Sequence, residues 1–393
     1  MKQCCCPPKI IYVFPHPPTI DFSKKFFPKQ LQEKYETEYW DIGPMLGYNM
    51  KFKYDLSDEH LKLKEISGLF QLYTNLKRQN KQTTVFVIQI TKMLNSLFFY
   101  YLFTVLKLKT ITLARGYLPN LSRAERPLTH YLRGLLKLHQ LRIWLWHIAY
   151  VSITKLIPIK NYDIAFVAGK LAESINLPQA NKLVEIHHSD IDISINDEPC
   201  YDKLPEKFCV FLDDFLPHHP DFAITGSSTI NPEMYYESIN RFFSKVESST
   251  GLQVVIAAHP KALYEQNPFA GRLIFFNKTN VLVKRSSIVL AHASTAVSFV
   301  VFHKKTLLLL FNDEIRKIHP ILFNSMVSTS NVLGCNLVDI DSHRFVDIST
   351  FKVDAERYNQ YMSEYLTQLD LNVESFPIIQ MHLQALFNSE SSN

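Results

Sequence analysis

The chain is 393 residues long, 47% hydrophobic and 20% charged, with 42 basic against 37 acidic side chains and a net charge of +5. This is globular composition at a length that needs two cores of about 150–200 residues each, which excludes a disordered chain. The basic excess is thin and no Arg/Lys stripe with interleaved aromatics occurs; that excludes a dedicated nucleic-acid binder and leaves a weak attraction to phosphorylated ligands or an anionic membrane face.

The opening "MKQCCCPPKIIYVF" breaks on prolines and has no apolar h-region, so no signal peptide is expected and the start is expected to fray. Cys4, Cys5 and Cys6 are consecutive while Cys200, Cys209 and Cys335 are scattered, with no CxxC pair. That pattern is no disulfide framework and fits a reducing, cytoplasmic compartment. Lys9–Pro15, "KIIYVFP", predicts a first core strand stopped by a "PHPP" loop. Tyr35–Gly43 alternates like a second strand. Thr83–Ile90, "TTVFVIQI", is a continuous apolar run of the kind buried on both faces of a parallel sheet. Helical patterns follow around Asn95–Leu106 and Thr129–Tyr150. The uncharged part of Met93–Lys109 is about 14 residues, short of the ~20 needed to span a bilayer. It reads as a buried helix, with a membrane-facing patch over Phe98–Leu106 as the alternative. "YDIAFVAG" (Tyr162–Gly169) and "NKLVEIHHSD" (Asn181–Asp190) are strands running into loops.

The acidic, proline-bearing stretch Ser189–Lys207 reads as the passage between domains, giving an N-terminal domain over 1–190, a linker over 191–206 and a C-terminal domain over 207–393. "KFCVFLDD" starts a second α/β alternation. "NPEMYYESINRFFSKVESSTG" is an amphipathic helix with Asn231 as N-cap, Pro232 at its first position and Gly251 just past its end. "LQVVIAAHP", "GRLIFFN" and "SSIVLAHAS" are strands, "TAVSFVVFHK" a helix and "KTLLLLFND" a strand. The tail over Ala355–Leu369 and Ile378–Leu386 is helical and positioned to cross back onto the partner domain. The expected fold is therefore α/β, with two Rossmann-like domains facing a cleft.

Ten glycines occur in the whole chain, well under the usual ~7%. Neither GxGxxG nor GxxxxGK(S/T) is present, so a bound phosphate must be held by helix N-termini and side chains rather than a glycine-rich cradle. Ligands of open parallel sheets sit beyond the carboxyl ends of strands, and three such ends carry chemistry. Asp213 and Asp214 close "VFLDD", and a half-buried carboxylate there can be raised enough to take a proton from a sugar hydroxyl; the bland alternative is a turn cap. His259 follows "VVIAA" and Pro260 stiffens it, which suits an imidazole that donates to a leaving phosphate. His292, Ser294 and Thr295 follow the next strand, where hydroxyls at a helix start favour an anion or merely cap the helix.

"AAHP" followed by a strand and "HAST" resembles the two signature regions of bacterial GT-B sialyltransferases, polysialyltransferases and Kdo transferases of surface polysaccharide assembly. The resemblance covers about Lys207–Phe311. It implies that His259 and Pro260 form the first nucleotide-binding motif and Ser294 and Thr295 the second. It further implies that Asp213 or Asp214 is the general base, and that the donor is a CMP-activated sugar. The family's acidic motif ends in Gly where this chain has Phe215. His16, Arg115, His188, Asp190 and Asp192 also follow N-domain strands; they are acceptor-side candidates or interdomain polar contacts.

The expectation is a metal-independent glycosyltransferase without a cofactor, taking a nucleotide-sugar donor and a glycan or glycolipid acceptor, with no nucleic acid and with contact to the inner membrane face. The alternatives are a sugar-nucleotide epimerase or hydrolase of the same architecture, and a non-catalytic GT-B-like assembly protein.

Overall fold

The computed structural model describes residues 7–19, 21–48, 61–116, 119, 152, 157–170, 178–196, 204–219, 229–342 and 351–389; Cys4–Cys6 and the helical pattern around Thr129–Tyr150 lie outside them. Among the described residues the strands are β1 Lys9–Phe14, β2 Glu36–Asp41, β3 Lys62–Glu65, β4 Thr84–Ile88, β5 Lys109–Ala114, β6 Ile164–Val167 and β7 Leu183–Glu185, then β8 Phe208–Leu212, β9 Gln253–Ala257, β10 Ile274–Phe275, β11 Ile288–Ala291, β12 Thr306–Phe311 and β13 Asn336–Asp339. They form two sheets, ordered β3-β2-β1-β4-β5-β6-β7 and β10-β9-β8-β11-β12-β13, with every pair parallel. The central strands β1, β4 and β8 are continuous apolar runs because both faces are covered. Edge strand β3, "KLKE", is polar and largely exposed, which blunts the open edge.

Each sheet is built outward in two directions. The chain steps from β1 to β3 on one side, then returns past β1 to β4 and continues to β7; β8 to β10 and β11 to β13 repeat the path. Right-handed crossovers then put the two sets of connecting helices on opposite faces. Accordingly Phe22, Phe27 and Leu31, from the segment after β1, join one core cluster. Leu72 and Leu76 of the Leu69–Lys77 helix and Phe99 and Phe103 of the Leu97–Val105 helix join the other. The reversal leaves a crevice at the carboxyl ends between β1 and β4, and another between β8 and β11.

The helix expected around Asn95–Leu106 is Leu97–Val105; it buries Leu97, Phe99, Tyr100, Leu102 and Phe103 and exposes Phe98 and Val105. Among the described residues no helix is long and apolar enough to cross a membrane. The stretch expected to link the domains begins instead as a helix, Ser189–Ile195, whose first turn is capped by His188 Nδ1 accepting the Asp190 N–H at 3.1 Å. Its S-D-I-D-I-S pattern has the period of a strand, and packing against both domains overrides it.

The tail does cross back. Ala355–Tyr361 lays Tyr358 and Tyr361 on the C-terminal core, and a π-helical turn follows at Met362–Leu366. Ser375–Asn388 then sets Ile379 and Leu383 into the N-terminal core. The buried Lys109 ammonium closes the end of that last helix, donating to the carbonyls of Leu386 (2.7 Å), Ser389 (3.0 Å) and Gln82 (3.2 Å). Gly169 is required where the tail passes: its φ is +75°, and a Cβ there would lie 2.5 Å from the Glu364 carbonyl oxygen.

Candidate active site

Leu212 at the end of β8 pairs with Ala257 of β9 on one side and Ala291 of β11 on the other. The three strands therefore finish in one row, and the residues after them form one rim at the C-terminal switch point. Asp213-Asp214, His259-Pro260 and Ser294-Thr295 share that rim despite their distance in sequence.

Both carboxyls of the acidic pair are buried. Asp213 Oδ1 accepts the Phe215 N–H at 3.0 Å and Oδ2 accepts the Tyr264 hydroxyl. Burial lifts its pKa to about 6 against those two bonds. Asp214 is 8% exposed. Burial, followed by the charge of Asp213, raises it to about 7 against the opposing influence of Ser294 and the Ala293 N–H. Its Oδ2 is sealed from solvent and has no partner. Asp213 thus spends both oxygens inside the fold, while Asp214 keeps the less engaged carboxyl of the two candidates for general base. Phe215 keeps the backbone shape that a glycine would supply: its φ is 53°, at a cost of about 1 kcal/mol for a side chain with Cβ. Its ring packs edge-on to Tyr264 at 5.5 Å.

His259 is half-buried. Lys261 N–H donates to its Nδ1 at 3.1 Å, so the neutral ring carries its hydrogen on Nε2. Burial, then the nearby His219 and Lys261, depress its pKa to about 3, so it stays neutral across the physiological range. The His219 ring stands edge-on to it at 5.0 Å. Ser294 is partly exposed and its Oγ accepts the Ala296 N–H at 3.4 Å, while Thr295 is exposed ahead of the Val297–Phe302 helix.

His292 is a correction. It is fully buried, its Nδ1–H donates to the Leu310 carbonyl at 2.6 Å and its Nε2 accepts the Tyr235 hydroxyl at 2.9 Å. Both nitrogens are spent inside the core, and a phosphate finds no atom to bind. The turn after β11 carries the ring inward, beside Phe211 and Tyr235.

The facing wall comes from the loop and helix after β1. Asp21 Oδ2 and Lys25 Nζ pair at 2.5 Å, and the Thr19 hydroxyl donates to Asp21 Oδ1 at 2.6 Å. Burial pushes Asp21 up, but Lys25 and these bonds outweigh it and hold the carboxyl at about 2. The charges of both residues reach His259, which places this wall against the end of β9. Sequence reading missed Asp21, Lys25, Lys261 and Tyr264. The i,i+4 spacing of Asp21 and Lys25 was the one available signal.

Four of the five acceptor-side candidates are buried in polar contacts around the Ser189–Ile195 helix. Arg115 is buried, paired with Asp192 at 2.6 Å and donating to the carbonyls of His187 and Lys25. Asp190 accepts the Ser298 hydroxyl from the C-terminal domain, and His188 caps the intervening helix. Only His16 is half-exposed; its Nδ1–H donates to the Pro17 carbonyl at 2.6 Å, and its own carbonyl accepts from Tyr39. Beside it at the end of β2, Asp41 is raised to about 6 by burial and by Glu65, against the Gly43 N–H that it accepts. Among the described residues no three His, Cys, Asp or Glu side chains converge as a metal-ligand set.

No protein-family model matches the chain, and no curated protein matches it in sequence. Its fold is similar to that of the wall teichoic acid polymerase TagF solved with CDPG: 10% identity, 97% of this chain and 90% of that one covered, TM-score 0.55. It is also similar to the glycosyltransferase SnogD from Streptomyces nogalater (9% identity, 97% and 100% covered, TM-score 0.49) and to a UDP-N-acetylglucosamine 2-epimerase (12% identity, 98% of each covered, TM-score 0.46). Likeness at this identity is one of fold: the chain has the GT-B architecture of two Rossmann-like domains over nearly its full length.

Proposed function

We propose that the chain is a glycosyltransferase of GT-B type that moves a sugar from a nucleotide donor to an acceptor hydroxyl. The observation that carries this reading is that His259 and Ser294 follow β9 and β11, the strands on either side of β8 at the C-terminal switch point, with the charges of Lys25 and Lys261 reaching His259. The neutral His259 donates Nε2–H to the leaving phosphate, Ser294 offers its hydroxyl, and the two ammonium groups balance the charge that develops as the bond from the anomeric carbon to the phosphate oxygen breaks. The electron pair stays on that oxygen. We assign the acceptor proton to His16, which ends the switch-point strand of the opposite domain, with Asp41 beside it. Asp213 and Asp214 then build the donor pocket rather than take the proton.

The finer reading is a CMP-activated acidic sugar of the nonulosonic or Kdo type, a surface-glycan acceptor, and contact with the inner membrane face through Phe98 and Val105. It is supported by the His259-Pro260 and Ser294-Thr295 pair for the donor and by the exposed side chains for the membrane. A melting-temperature panel with CMP, CDP, UDP, TDP and GDP tests the site. A nucleotide at about 100 times its Kd stabilises by about 2.7 kcal/mol, or roughly 5–10 °C, and His259→Ala should lose at least half of that shift. If no nucleotide raises the melting temperature, or the variant responds like the wild type, the reading fails.

A further inference from the structure

The rim of the C-terminal sheet continues past His259 to the edge strand. β10 runs parallel to β9 with Ile274 opposite Ile256 and Phe275 opposite Ala257, and the Ala258 N–H donates to the Phe275 carbonyl at 2.9 Å. Phe276 and Asn277 therefore leave the sheet beside Ala258 and His259, one strand spacing (~4.8 Å) away. Phe276 is 42% exposed, and Leu263, four residues after His259, is 49% exposed. Tyr264 follows Leu263 and holds its ring 5.9 Å from that of Phe276. Tyr264 is itself fixed: its hydroxyl donates to Asp213, and its ring meets Phe215 at 5.5 Å and Phe269 at 5.8 Å, edge to face.

An exposed apolar side chain standing alone is ordinary. Here two of them flank an anchored tyrosine on the rim that holds His259, and an aromatic surface already fixed in place loses little entropy when a flat ring settles on it. Asn277 adds a polar group. Its φ is 55°, in the left-handed region that asparagine tolerates, and its amide enters no hydrogen bond among the described residues. An amide offers a donor and an acceptor side by side, as the edge of a nucleobase does. The other end of the rim differs. After β12, Asn312 is spent accepting the Ile315 N–H, Asp313 pairs with Arg316 and Lys317, and Glu314 accepts the Asn231 N–H; that end is acidic and, among the described residues, has no exposed ring. From β10 to β11 is three strand spacings, roughly 14 Å, a length that a base, its ribose and a diphosphate together cover.

We propose that Phe276 and Leu263, backed by Tyr264, are the stacking face for the nucleobase of the donor, and that the Asn277 amide meets the polar edge of that base. This rests on the nucleotide-donor reading above and places the base over β10, with the phosphates between His259 and Ser294. Stacking on a ring accepts every base, so the choice among bases falls to Asn277.

The test is calorimetric titration of the full chain with CMP, CDP, UDP, TDP and GDP, and with inorganic pyrophosphate as the ligand that lacks a base. Phe276→Ala should weaken the tightest nucleotide about tenfold and pyrophosphate less than about twofold, while Phe276→Tyr, which keeps the ring, should stay within about threefold of the wild type. Asn277→Gly keeps the left-handed turn and removes only the amide; it should cut the preference for the tightest nucleotide over the weakest about fivefold. Nucleotide binding that Phe276→Ala leaves within about twofold of the wild type, a loss that Phe276→Tyr shares, or an equal loss for pyrophosphate overturns the stacking face and leaves the phosphate site standing. Equal wild-type affinity for every base, or a preference that Asn277→Gly keeps, overturns the role of the amide. If the wild type binds no nucleotide, the donor reading and this inference fall together.

Discussion

Asp214→Asn is a stability experiment that needs no ligand. The folded carboxyl holds its proton to about pH 7, against 3.8 for an unperturbed aspartate. Between these values the unfolded chain has released the proton and the folded chain has not, so stability falls as pH rises through the window and the full penalty is present above it. About three pK units correspond to roughly 4 kcal/mol. Asparagine cannot ionise and escapes that penalty, but it places an N–H2 group where Oδ2 finds no partner, at a cost of about 1–3 kcal/mol. The variant should therefore be about 1–3 kcal/mol more stable than the wild type at about pH 8.5, while near pH 5, where less than half of the penalty has accrued, the two should lie within about 1 kcal/mol of each other. For a domain of this size that is roughly 2–4 °C per kcal/mol, and melting curves across the range read it directly. A difference that stays constant with pH, or grows in the opposite sense, refutes the assignment of a neutral buried carboxyl.

Three further outcomes follow from the packing. Gly169→Ala forces a Cβ into the Glu364 carbonyl at a positive φ; a loss of more than about 2 kcal/mol and earlier proteolysis of the tail are expected. Lys109→Met strips three carbonyls of their donor, so amides of the Ser375–Asn388 helix should exchange faster while those of the C-terminal core do not. Arg115→Met leaves Asp192 buried and unpaired, costing about 3–5 kcal/mol by denaturation, and the double change with Asp192→Leu should recover much of it.

Much of the architecture was legible because buried parallel strands are apolar without interruption: Lys9–Phe14, Thr84–Ile88, Phe208–Leu212 and Thr306–Phe311 all stand where such runs predict. The long helix was legible at both ends, with the Asn231 side chain accepting Met234 N–H and Gly251 at φ +70°. What failed to read was polar or short. Edge strands β3 and β13 carry charged or polar residues, and "GRLIFFN" shrinks to Ile274–Phe275 because one neighbour is all an edge strand has. The rim of the site was legible as a set of strand ends, yet the direction of each side chain was not. The half-exposed His259 directly follows the buried Ala258, and alternation alone did not show that His292 points inward. Partners contributed by the other domain, Asp21 and Lys25, have no signature beyond their spacing.

The returning tail has a mechanical consequence. The two domains are joined twice, once through His188 and the Ser189–Ile195 helix and once through Leu366–Ser375, and the two joints are stitched side by side. His188 N–H donates to the Leu366 carbonyl, the Ser375 hydroxyl accepts from His187 N–H, and the His187 ring bridges Thr367 and Val373. A pair of tethers pinned side by side resists sliding of one lobe past the other more than a single linker would.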